Sequence, residues 1–205
     1  MAYGETLDIV KDGKLTEHAL TQGSSWKTTA EGITGKGTGE FLKFEHVLKA
    51  GDFEVSATLM IDKKQSTAAA ISFGREFFGF DSKNGLFTEG GQFTKNFLKN
   101  TFIDEKKEFN FKAIAKQGMI RFLIDGTEVM SQKFKAQDIH GLALRPHRNK
   151  MTITEFKVSG TITKRAKLNF IFKSGDAGYK SYRIPAMLTS KKGTLLAFAE
   201  GRVNS

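Results

Sequence analysis

The clearest regularity in the chain is a period-two alternation, cleanest where Phe53, Val55, Ala57, Leu59 and Ile61 fall on one side and Glu54, Ser56, Thr58 and Met60 on the other. Successive side chains of a strand point to opposite faces of a sheet, so this pattern predicts a strand with one face in a core. Shorter runs of the same kind occupy 41–48, 68–73, 76–80, 85–88, 108–115, 119–124 and 128–134, with turn-forming residues between them. Many short strands at close spacing predict an all-β sandwich. The best hairpin joins Met119–Ile124 to 127–130 through Asp125-Gly126, a dipeptide suited to the positive φ angles of a type I′ turn. Another strand runs over 151–158, where the apolar parity slips between Ile153 and Phe156 and so predicts a bulge or a crossing between sheets. The segment 136–140 reads as one short helical turn, and nothing else carries a long 3.6-residue period.

Composition narrows this picture. A length of 205 residues suits one well-buried domain plus a fragment. With 19 Phe, 21 Gly and only 2 Pro, the chain has the content of a β-rich folded domain rather than a disordered or fibrous one. No run approaches the ~20 apolar residues of a membrane helix, and the first residues carry no signal-peptide pattern. The absence of cysteine excludes disulfides, thiolate metal sites and a cysteine nucleophile. A formal charge of +10 favours anionic partners, yet the lysines are scattered, and no basic helix or basic and aromatic stripe supports nucleic-acid binding.

The runs FEVSATLMI, IRFLIDGTEVM and MTITEFKVSGTI together resemble the concanavalin-like or laminin-G-like jelly rolls that sit as lectin modules beside glycosidases. That resemblance covers roughly residues 5–162 and implies a fold class. The polar, basic stretch Thr163-Lys164-Arg165-Ala166-Lys167 places a domain boundary, giving a sandwich over 1–163 and a second piece over 164–205. Some 40 residues cannot bury a core of their own.

That second piece carries the chemistry. Residues 182–189 read as a strand, Ser190-Lys191-Lys192-Gly193 as a tight turn and 194–199 as the returning strand, which sets Arg183 opposite Glu200 with Arg202 two positions on. A register slip of one residue would send Glu200 and Arg202 to the other face. A guanidinium grips a carboxylate bidentately and keeps its charge at neutral pH, so two arginines here suit a carboxylate ligand. The plainer alternative is an ordinary cross-strand pair between Arg183 and Glu200.

The stretch YRIPAML followed by GTLLAFAEGR, with the lead-in FKSGDAGYKSYRIP, is similar to the opening of the catalytic propeller in bacterial exo-α-sialidases. The resemblance implies a six-bladed β-propeller of which this is the first hairpin. It also implies a carboxylate-binding role for Arg183, a pocket-lining role for Arg202 and sialylated glycans or glycoproteins as partners, in a secreted, cell-surface or periplasmic setting. Glu200 would either orient an arginine or balance charge. Sialidases are retaining glycosidases with a tyrosine nucleophile. Neither that tyrosine, its partner glutamate nor the acid/base aspartate is assignable among these residues, so the chain itself is expected to be inactive, and no cofactor is implied. A non-catalytic lectin module and a sialic-acid-transferring relative are the alternatives. Tyr182 reads as packing and Asp176 as a turn residue.

Other candidates are weaker. Gly35-Lys36-Gly37-Thr38-Gly39 lacks the spacing and following helix of a phosphate loop. His18, His46, His140 and His147 are too dispersed for a metal motif. Arg145-Pro146-His147-Arg148 and Arg75-Glu76 lie between strands, where lectin loops meet their ligands, and either could take an acidic sugar. Trp26, the single tryptophan, could stack on a sugar ring or plug the core.

Overall fold

The computed structural model describes residues 4–64, 68–82, 85–165, 172 and 175–203. The chain divides into two compact units, 1–165 and 166–205, each taken by itself below.

The first unit is a two-sheet antiparallel jelly roll. One sheet runs in the order Thr127–Lys133, Met119–Ile124, Glu108–Lys116, Phe53–Ile61, Lys150–Gly160, Glu5–Lys11 and Lys14–Leu15, with Gly32–Lys36 also paired to Lys150–Gly160 and Lys27–Thr29 paired to Gly32–Lys36. The facing sheet runs Asn96–Lys99, Gly85–Glu89, Glu76–Ser82, Ala70–Phe73, Leu142–Arg145, Phe41–Phe44 and Ala19–Gln22. A small third sheet joins Ile139–His140, Val47–Leu48 and Ile162–Thr163. The predicted alternation holds along Phe53–Ile61, where every second residue is buried. The parity slip also has its expected cause: the ladder between Lys150–Gly160 and Phe53–Ile61 shifts register between Ile153 and Glu155. Asp125 and Gly126 take φ of 46° and 81°, as a type I′ turn requires.

Phenylalanine fills the space between the sheets. Phe78 stacks on Phe122 of the opposite sheet at 4.5 Å between centroids, and Phe73, Phe80, Phe93 and Phe111 pack around that pair. These rings bury a large apolar area in offset and edge-on contacts, each adding ~0.5–1.5 kcal/mol beyond the area term.

The helical turn expected over 136–140 is absent. The segment is extended there, because Ile139 enters the core and Ile139–His140 pairs with Val47–Leu48. Asp138 binds the Lys49 ammonium and accepts the Ala50 N–H, contacts that hold its carboxyl below the usual carboxylate range. Trp26 proves to be a packing residue: its ring lies against the core and over Gly35, where an added Cβ would come within 2.6 Å of it, and its indole N–H donates to the Gln22 carbonyl.

The end of this unit is tied down by a histidine pair. His46, buried, accepts the Arg165 backbone N–H at Nδ1 and meets His18 Nδ1 through Nε2 at 3.0 Å. With Nδ1 an acceptor, Nε2–H donates to His18, so an added proton breaks one of the two bonds. Burial first, then His18 and Lys164, push the His46 pKa down against the opposing pull of Glu45 and Glu5. Glu17 lies 3.6 Å from His18 Nε2. Because the folded pKa lies below the unfolded one, this contribution is present above the ordinary histidine value and is lost as pH falls. Urea midpoints should therefore drop between neutrality and about pH 5 more in the wild type than in His46→Gln, which can keep both hydrogen bonds.

Candidate functional site

In the second unit Ser181–Thr189 and Leu195–Arg202 form an antiparallel hairpin closed by a turn in which Gly193 N–H donates to the Ser190 carbonyl. Arg183 pairs with Glu200, the register expected from the turn position, and Ser181 with Arg202. The ladder then jumps to Ala186 opposite Phe198, so Ile184 and Pro185 together face Ala199. This is a β-bulge, and proline suits it because it has no N–H to give the ladder. Ile184 adopts φ of 49°, a left-handed conformation that costs a β-branched residue about 1–2 kcal/mol. A bulge of this kind re-aims the side chain beside it, here Arg183.

Glu200 does not neutralise Arg183. Its carboxylate accepts Nε of Arg202 at 3.0 Å and a terminal guanidinium nitrogen of the same arginine at 3.1 Å, two positions along the same strand. The pair is partly exposed, so its geometry matters more than its stability contribution. Arg183 is exposed and makes no ion pair among the described residues. The result is one guanidinium held by a carboxylate and another left open at the same end of the ribbon. Gly201, between Glu200 and Arg202, lies under the Tyr179 ring, which an added Cβ would approach to 2.6 Å. Tyr182 packs between Phe172 and Tyr179, a structural position. Away from this end the hairpin leaves Ile184, Met187, Leu195 and Phe198 more than half exposed.

The sandwich carries a separate concavity of about 760 Å³, lined by Phe73, Gly74, Arg75, Glu76, Gln92 and Gln137 among others. Phe73 pairs directly with Glu76, which makes Gly74-Arg75 a two-residue hairpin loop with Gly74 at φ of 80°. Glu76 is only 3% exposed. Its Oε1 accepts the Gln92 N–H at 3.1 Å and the Gln137 side-chain amide at 3.2 Å, whereas Oε2 has no hydrogen-bond partner. Sequence reasoning named Arg75 and Glu76 as loop residues but missed Gln92 and Gln137, whose neighbours in sequence carry no motif.

The loop arginine Arg145 has a different fate. It ends strand Leu142–Arg145 and lies over the Phe77 ring at 4.1 Å, with burial pulling its pKa down. It shares one face with Ala70, Gly79, Phe87 and Phe97, each opposite the next across the sheet. Among the described residues no cluster of His, Asp and Glu has the arrangement of a metal site, and no helix is long and apolar enough to cross a membrane.

No protein-family model matches the sequence, and none of the characterised proteins compared with it does. Solved structures do share its fold. The ligand-binding domain of botulinum neurotoxin serotype D, in complex with N-acetylneuraminic acid, matches with a TM-score of 0.57 and 11% identity over 78% of this chain and 48% of that one. Trypanosoma rangeli sialidase, in complex with 2,3-difluorosialic acid as a covalent intermediate, matches with a TM-score of 0.56 and 13% identity over 75% of this chain and 30% of that one. The Crh5 transglycosylase in complex with NAG gives 0.54 and 9% over 78% and 86%. This chain thus spans less than a third of the sialidase. At such identities the likeness is one of architecture: an all-β sandwich of a kind found in sialidases and in glycan-binding proteins.

Proposed function

We propose that the chain is the amino-terminal part of a retaining exo-α-sialidase acting on terminal sialic acids of glycoconjugates. On this reading the sandwich is a glycan-binding module and the hairpin is the first of a six-bladed propeller. Arg183 and Arg202 grip the substrate carboxylate, and Glu200 sets the plane of the Arg202 guanidinium. The observation that carries the reading is the hairpin end itself, where a bulge presents one open arginine beside a second held bidentately by a carboxylate. A planar fork locked in this way is pre-organised for a carboxylate. The exposed Met187, Leu195 and Phe198 support it too, since a first blade needs further strands to cover it.

The nucleophilic tyrosine, its glutamate and the acid/base aspartate are not among the residues that match. The purified chain should therefore release no fluorophore from a fluorogenic sialoside. Turnover above blank by pure material would sink the claim that the essential groups lie elsewhere.

The second reading is a non-catalytic glycan-binding module, favoured by the buried, half-satisfied Glu76 at the wall of a sandwich groove. It needs no contribution from the hairpin.

A further inference from the structure

We propose that the groove around Glu76 is the sandwich's glycan site and that it takes an acidic sugar, with ring hydroxyls on Glu76 and the sugar's carboxylate between Arg75 and Lys135. This inference rests on the glycan-binding reading of the sandwich and is independent of the hairpin arginines.

Three observations build the site. First, a carboxyl group that is 97% buried needs hydrogen-bond donors, and Glu76 finds them for only one oxygen. An unmet buried acceptor of this kind carries a desolvation cost that a ligand hydroxyl pair removes. Second, the backbone closes on this carboxyl through two glycines at positive φ. A Cβ at Gly91, at φ of 53°, would fall 2.1 Å from Glu76 Oε1, and one at Gly90, at φ of 85°, would fall 2.3 Å from the Arg75 carbonyl. Gln92 then fastens this turn to the opposite wall by donating to the Lys135 carbonyl and accepting the Lys135 N–H, at 3.1 and 2.6 Å. These two bonds tie the walls to each other. The exposed Gln137 amide, by contrast, is held at Glu76 by one bond at 3.2 Å, so a ligand hydroxyl can take its place.

Third, the rim is cationic. Asp138 is already engaged by Lys49 and by the Ala50 N–H, so its charge is met. Arg75 and Lys135 are exposed and have no ion pair among the described residues, and His140 stands beside them. A donor-poor floor under a positive rim selects a ligand with hydroxyls on one edge and a carboxylate on the other. Uronic and sialic acids share that chemistry; neutral hexoses lack the second half.

The test is a calorimetric titration of the 205-residue chain with trigalacturonate, 3′-sialyllactose and lactose. One or both acidic sugars should bind, with lactose weaker by about tenfold or more. Glu76→Gln should lose about tenfold in affinity with an unchanged or higher melting temperature, because the amide cannot accept both hydroxyls. Acidic sugars bound equally by wild type and Glu76→Gln would overturn this site without deciding against the glycan-binding reading of the sandwich. Lactose bound as well as the acidic sugars would overturn the ligand class. No binding of any sugar would remove both the site and the reading beneath it. Should Glu76→Gln not fold, the exposed pair Arg75→Ala and Lys135→Ala decides the matter: unchanged affinity for the acidic sugar in the double variant overturns the proposal.

Discussion

Phe122→Ala should remove about 3–5 kcal/mol of stability and leave the sandwich on the edge of unfolding at ambient temperature. Phe122 is fully buried on strand Met119–Ile124. Its ring meets Phe73, Phe78 and Phe93 from beyond its own sheet and Phe111 from within it, so one truncation opens a cavity that touches both layers. The neighbours are themselves large buried rings packed on further rings, so the gap closes poorly, which puts the cost in the upper part of the range for aromatic truncations. Urea unfolding of the variant checks this. A loss below about 1 kcal/mol would mean that the two sheets are not joined through this ring.

Gly79→Val is the second large effect, and it works by crowding instead of by loss. Gly79 pairs directly with Phe87 on the outer face of its sheet, and the Phe87 ring occupies the space a side chain at 79 would need. An added Cβ would sit 1.7 Å from that ring, an overlap that only displacement of Phe87 can relieve. Phe87 is 2% exposed, so moving it uncovers apolar surface as well as straining the strand. Overpacking of this kind costs about 1–3 kcal/mol and sometimes more. The double variant Gly79→Val with Phe87→Ala should recover part of the loss, since the smaller side chain at 87 removes the clash and the added valine fills part of the gap it leaves. A double variant no better than the sum of the singles would show that the two side chains do not meet.

How far the sequence could be read follows from where each strand's signal resides. Phe53–Ile61 was legible because each inward position is apolar for its whole length. Asp125-Gly126 was legible because the turn type demands those residues. The strands before residue 37 were not. In Lys14–Leu15, Ala19–Gln22 and Lys27–Thr29 hardly a side chain is buried, and Glu5–Lys11 breaks parity at a bulge between Asp8 and Val10. Edge strands with two wet faces leave no alternation to read. The mistaken helical turn at 136–140 came from polar residues that in fact serve tertiary partners: Asp138 the Lys49 amine, Gln137 the Glu76 carboxyl.

The two candidate sites differ in the same way. The hairpin arginines are local, so a turn four residues long sets their spacing, and the pairing of Arg183 with Glu200 could be counted out along the chain. What counting missed was the partner choice, since Glu200 reaches Arg202 along its own strand rather than Arg183 across the ladder. The groove is non-local. Glu76 opens a strand, whereas Gln92 and Gln137 sit in connections 16 and 61 residues further on, and only the fold brings them to one wall.

The central claim is that the sandwich recognises glycans in its own right, and the most direct measurement is binding of residues 1–165, one compact unit, to a panel of immobilised glycans, acidic and neutral, beside the full chain. The account predicts that residues 1–165 retain acidic glycans as strongly as the full chain does. A panel on which residues 1–165 bind nothing, while their unfolding remains cooperative, would contradict it.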